Sequence, residues 1–161
     1  MFNVVLIEPE IPPNTGNIGR LCLATGSTLH LVKPLGFSTD DRELKRAGLD
    51  YWKEVDVGLW DSFEGLRQAH GPDARSFFLT TKSDRAYYDV CFRPGDFLVF
   101  GRETKGLPEA LLAANPKQLL TIPMQGTRSL NLATAVAIVL FEAMRQQRWR
   151  PRIEEEAPEE R

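Results

Sequence analysis

The stretch DFLVFGRETKGLPEALLAA, residues 96–114, contains the unit from which the fold is built. Four apolar residues in succession, Phe97 to Phe100, read as a strand covered on both faces, because a strand with one wet face would alternate. Gly101 ends the run and the next loop carries Glu103. Gly106 and Pro108 then set a turn and open a helix predicted over 107–114. A buried strand that feeds a helix through a short loop is the repeating unit of a parallel sheet, whose strands need crossover connections.

The same unit recurs along the chain. Strands are predicted in FNVVLI (2–7), TLHLV (28–32), VDVGLW (55–60), SFFLTT (76–81), DFLVFG (96–101) and LLTIP (119–123). Helices are predicted over 15–25, 40–47, 61–69, 107–114 and 129–147. The expected fold is α/β, with a mostly parallel sheet and helices on both faces. One domain over 1–150 is expected, followed by an acidic, disordered tail at 151–161. Ligands of such sheets sit beyond the carboxyl ends of the strands. The informative loops are therefore EPEIPPNTGNIGR, TTKSD, GRETKGLPEA and PMQGTRSLNLATA.

Composition excludes several classes. Hydrophobic residues make up 42% of the 161, enough for a core, and the formal net charge is -2. The acidity is concentrated at the end, where Glu154, Glu155, Glu156, Glu159 and Glu160 face Arg161 alone. The body before it is weakly basic, which is compatible with nucleic acid without arguing for it. Cys22 and Cys91 form no CxxC pair and read as reduced, buried thiols of a cytoplasmic protein. The N-terminal apolar run lacks a preceding basic region and is not read as a signal peptide. LATAVAIVLF (132–141) is too short to cross a bilayer. Two histidines, His30 and His70, without a carboxylate or cysteine cluster, predict no metal. GxGxxG, Walker A and GxSxG patterns are absent.

Each informative loop first admits a structural explanation. In NTGNIGR, Asn14 or Thr15 can cap a helix, the glycines allow close approach, and Arg20 lies about a turn in. Glu103 can be a solvated loop carboxylate. Ser129 is placed to cap the last helix, with Asn131 in its first turn and Ala133, Ala135 and Ala137 leaving a face open to close packing.

Taken together and in order, NTGNIGR, FGRETKGLP and IPM…SLNLATAVAIVLFE resemble the three signature motifs of the SPOUT class of RNA 2′-O-ribose methyltransferases. EPEIPPNTGNIGRLC, RAGLDYW and LTTK narrow the resemblance to the minimal branch that methylates the wobble nucleotide of tRNA. It covers residues 1–148.

The resemblance implies a deep C-terminal trefoil knot, a homodimer whose sites draw on both subunits, and no separate RNA-binding extension. It implies S-adenosylmethionine as cofactor, held in the knot by Leu79, Thr80, Gly101, Ile122, Met124, Ser129 and Leu130. It places Arg20 at the ribose 2′-OH, with Asn14, Glu103, Ser129 and Asn131 as the other catalytic-site residues, and tRNA as partner. A guanidinium is always protonated in ordinary surroundings. Arg20 is therefore either deprotonated with help from an RNA phosphate or a stabiliser of the developing alkoxide. Gly19, Arg102 and Phe141 depart from the branch's pattern, which bears on fine specificity and dimer detail. The same motifs also fit methylation of another tRNA position or of rRNA; a binding module without turnover is the third reading, and intact Arg20, Glu103, Ser129 and Asn131 count against it.

Overall fold

A computed structural model describes residues 1–148 of the chain; the predicted tail lies outside the described residues. Strands β1 (Asn3–Ile7), β2 (Thr28–Val32), β3 (Val57–Trp60), β4 (Ser76–Leu79), β5 (Phe97–Phe100) and β6 (Leu119–Leu120) form one sheet. Their order is β3-β2-β1-β5-β4-β6, and every pairing between them is parallel. The helices are α1 (Pro12–Thr25), α2 (Arg42–Gly48), α3 (Phe63–His70), α4 (Glu109–Ala114) and α5 (Leu132–Arg148).

The unbroken apolar runs are explained by two cores, one on each face. Val4, Leu6, Leu98 and Phe100 pack with Ile18 and Cys22 of α1 and with Val136, Val139 and Leu140 of α5. The intervening Val5, Ile7, Phe97 and Val99 pack with Leu66 of α3 and Leu112 of α4. Successive side chains of a strand point to opposite faces, so both sets must be apolar.

The sheet grows outward from β1 in one direction and from β5 in the other. The two strands lie side by side, with Leu6 opposite Phe100. Such a switch point opens a crevice beyond the strand ends. It receives the β1–α1 loop and the β5–α4 loop.

Two helix starts differ from expectation by three residues and the other three by two. α1 begins at Pro12, three residues earlier than predicted, with Ile11 as its N-cap and prolines in the first two positions. A proline there costs no hydrogen bond, since the first helical N–H groups have no intrahelical partner. Neither Asn14 nor Thr15 caps the helix; both are buried within it. α5 begins at Leu132, and Asn131 is the cap: its Oδ1 accepts from the Thr134 N–H at 3.3 Å. Ser129 lies in the preceding loop.

The glycines of NTGNIGR serve helix packing. A Cβ on Gly16 would stand 2.3 Å from the Leu44 carbonyl oxygen, so α2 can cross α1 only over a glycine. A Cβ on Gly19 would stand 2.7 Å from the Trp52 ring. Cys22 is buried as expected, and burial pushes its thiol up to about 12. Cys91 is exposed, contrary to expectation, and both cysteines are free. Among the described residues no helix is long and apolar enough to cross a membrane.

Candidate active site

The loops at the switch point hold each other by a reciprocal clasp. The Glu103 carboxylate, from the β5–α4 loop, accepts from the backbone N–H of Glu10 at 2.8 Å and of Ile11 at 3.0 Å. It thereby supplies the anionic cap that α1's own N-cap residue lacks. In return the Glu10 carboxylate accepts from the Thr104 N–H at 3.2 Å and its hydroxyl at 2.7 Å. These hydrogen bonds from Thr104 hold the Glu10 carboxyl below the usual carboxylate range, and the charges of Arg102 and Lys105 add to the effect.

A polar chain continues from the clasp into the third motif. Asn14 Nδ2 donates to Glu103 Oε1 at a long 3.5 Å. Asn131 Nδ2 donates to Asn14 Oδ1 at 3.0 Å. Three segments far apart in sequence thus meet through Glu103, Asn14 and Asn131.

Beside this chain lies a cavity of about 400 Å³, within the range of small-molecule sites. All seven residues expected to hold the cofactor line it: Leu79, Thr80, Gly101, Ile122, Met124, Ser129 and Leu130. Gly101 is there for a local reason as well. A Cβ at that position would stand 2.1 Å from the Gly106 carbonyl carbon. The close pairing of Arg102 with Gly106, N–H to carbonyl in both directions at 3.1 and 2.9 Å, depends on that room. Gly106 itself takes a φ of +65°, which favours glycine. Apolar side chains and backbone surround the cavity, with Glu103 the lone carboxylate and Lys82, Arg102, Lys105 and Arg128 at its edge. Among the described residues no group of three His, Cys, Asp or Glu could hold a metal ion.

Arg20 is not brought into this cavity. It lines a separate open groove with Asn17, Leu21, Ala24, Tyr51 and the α5 residues Ala133, Thr134 and Ala137. Helical phase explains the separation. Six residues divide Asn14 from Arg20, about 240° around an α-helix, so the two point different ways. Asn17, Leu21 and Ala24 follow the i, i+4, i+7 spacing that shares Arg20's face. Arg20 is exposed and has no side-chain hydrogen bond or ion pair among the described residues.

Of the five expected catalytic-site residues, Glu103 and Ser129 line the cavity, Asn14 and Asn131 connect to Glu103, and Arg20 stands apart. The clasp partners Glu10 and Thr104 are not among the residues expected from sequence. A carboxylate just beyond a strand at the switch point was the available signal.

The family model described as "SpoU rRNA Methylase family" matches residues 1–141, and the chain belongs to that family. A curated tRNA (cytidine(34)-2′-O)-methyltransferase of Burkholderia pseudomallei is 51% identical over 149 residues, covering 91% of this chain and 96% of that one. A solved structure described as giving structural insights into the 2-OH methylation of C/U34 on tRNA superposes with a TM-score of 0.88 at 48% identity, covering 92% of this chain and 97% of that one. An AdoMet-bound rRNA methyltransferase from Sinorhizobium meliloti superposes with a TM-score of 0.79 at 27% identity, covering 89% of this chain and 56% of that one.

Proposed function

We propose that this protein is a tRNA 2′-O-methyltransferase acting on the wobble nucleotide, cytidine or uridine 34, with S-adenosylmethionine as methyl donor. The observation that carries the reading is the gathering of all seven expected cofactor positions around one cavity beside the Glu103–Asn14–Asn131 chain. The relatives' substrate gives the nucleotide.

The cavity fits the cofactor by size and lining: apolar walls for an adenine, backbone for its polar edge, and no side chain at Gly101. When bound, the cofactor supplies an electrophilic methyl on a sulfonium. The residues of the chain contribute positioning, which can supply much of the rate of an in-line transfer. Glu103 fixes the start of α1 against the cofactor loop, and Asn14 and Asn131 tie α1 to α5. An exposed guanidinium is a donor and not a base. Arg20 accordingly orients the ribose 2′-OH and stabilises the negative charge that develops on its oxygen.

Arg20 does not line the cavity of its own chain, which supports a homodimer in which Arg20 of one protomer completes the cavity of the other. Half-exposed Phe141 on α5 and the apolar groove beside Arg20 supply surface for the contact. A trefoil knot belongs to the same proposal. Its support is the way residues 85–92 meet the chain after β6: Thr121 exchanges backbone hydrogen bonds with Arg85 and Tyr87. Gln146 and Gln147 of α5 donate to the carbonyls of Val90 and Phe92. Cytoplasmic localisation follows from a tRNA substrate.

Nucleoside mapping by mass in tRNA from a strain lacking the gene tests the reading. Loss of the 2′-O-methyl at the wobble position supports it. Loss at another tRNA position or in rRNA would assign the enzyme elsewhere.

A further inference from the structure

We infer that Lys105 and Arg128 form a two-point clamp for backbone phosphates of the RNA at the mouth of the cavity. The inference rests on the methyltransferase reading above and goes beyond it by naming the side chains that grip the substrate.

Both cations stand on turns built to hold them. Lys105 occupies the turn closed by the paired backbone groups of Arg102 and Gly106. Arg128 sits in the turn where Gly126 takes a φ of +76° and the Thr127 hydroxyl donates to the Ser129 carbonyl at 3.1 Å. Both side chains border the same cavity and are exposed.

The surrounding charges single these two out. Lys82 is engaged by Glu109. Arg102 lies 3.9 Å from Glu8. The Glu103 carboxylate is taken up by the backbone N–H groups of Glu10 and Ile11 just before α1, and that of Glu10 by Thr104. Lys105 and Arg128 have no ion pair or side-chain hydrogen bond among the described residues. Two cations without an ion pair beside one cavity, in a chain of net charge -2, are a local feature and not a by-product of basic composition. Their chemistry suits an anionic oxygen. A polynucleotide offers such oxygens on both sides of the ribose it presents, and neutralising them releases counterions. The cofactor offers one, its carboxylate.

The test measures binding of a tRNA anticodon stem-loop across a series of potassium chloride concentrations, with calorimetry of S-adenosylhomocysteine in parallel. For the double variant Lys105→Ala/Arg128→Ala, the slope of log affinity against log salt should become shallower by about 1 for each side chain removed. Product affinity should stay unchanged. The charge-keeping variant Lys105→Arg/Arg128→Lys should retain the slope. An unchanged slope in the double alanine variant overturns the clamp. Loss of S-adenosylhomocysteine affinity with an unchanged slope overturns it too, and assigns the cations to the cofactor carboxylate. A wild-type protein that shows no salt-dependent tRNA binding overturns the tRNA reading and the clamp with it. When the wild type binds normally, the change in slope reports on these two residues alone.

Discussion

Asn131 Nδ2 donates to Asn14 Oδ1 at 3.0 Å, joining the cap of the last helix to the buried face of the first across 117 positions of sequence. The same side chain caps α5 through its oxygen. Its two roles can be separated. Asn131→Ala loses both and should lower stability by about 1 kcal/mol, the usual cost of a lost N-cap. That corresponds to a fall in Tm of roughly 2–4 °C for a chain of this size. Asn131→Asp keeps the cap acceptor but sets a carboxylate against the Asn14 oxygen. Calorimetric melting should spare Asn131→Asp relative to Asn131→Ala, while methyl transfer falls in both.

Glu103 holds the start of the helix that carries Arg20. Its carboxylate accepts two backbone N–H groups, and charge-assisted bonds of this kind contribute about 1.5–3 kcal/mol each. Glu103→Ala should lower turnover by roughly tenfold to a hundredfold, if losing one such contribution misplaces α1. Glu103→Gln keeps one acceptor and should fall between. Single-turnover transfer rates at saturating cofactor check this; normal rates for Glu103→Ala would leave the clasp without a role in the reaction.

The sheet was legible because several of the six runs are apolar on consecutive positions and need burial on both faces, as Val4 and Val5 show by entering different cores; edge strand β3 is the exception, with Leu59 exposed. The start of α1 was not. Its cap comes from Glu103, 92 positions downstream of Ile11, so no local pattern could reveal it. Asn14 and Thr15 look like caps in sequence because they are capping residue types. In the fold the two prolines before them already occupy the first helical turn. The cavity residues were legible only through the motif resemblance, since Leu79, Ile122 and Leu130 carry no chemical signature. Arg20's distance from the cavity is a matter of helical phase, which a correctly placed helix start would have exposed.

His30 makes stability depend on pH. Trp60 Nε1 donates to its Nδ1 at 3.0 Å, and its Nε2 lies 2.9 Å from Asn3 Oδ1. Burial, with the charge of nearby His70, pushes its pKa down from 6.5 to about 4, against a small opposing effect of Asp56. The folded state therefore resists a proton that the unfolded state accepts. Its contribution is intact above about pH 6.5 and is lost as pH falls toward 4, by up to about 3 kcal/mol. Denaturant unfolding at several pH values should show this slope, and His30→Gln should flatten it relative to wild type.

Phe141 is 50% exposed on α5, one helical turn beyond Ala137 of the groove that holds Arg20. Phe141→Asp should convert the proposed homodimer to monomers with weak RNA binding. Sedimentation at micromolar protein checks both states. A wild-type monomer at that concentration would remove the route by which Arg20 reaches the cavity of a second copy.

Wobble-nucleotide methylation that depends on Arg20 is open to a single decisive experiment. Single-turnover transfer from methyl-labelled S-adenosylmethionine to tRNA is mapped to the nucleotide, for wild type beside Arg20→Ala and Arg20→Lys. Label should appear on the 2′-oxygen of nucleotide 34. Both variants should lose at least roughly a hundredfold in rate, since lysine keeps the charge without the planar donor fork. Label at any other nucleotide, or normal transfer by Arg20→Ala, would contradict the proposed function.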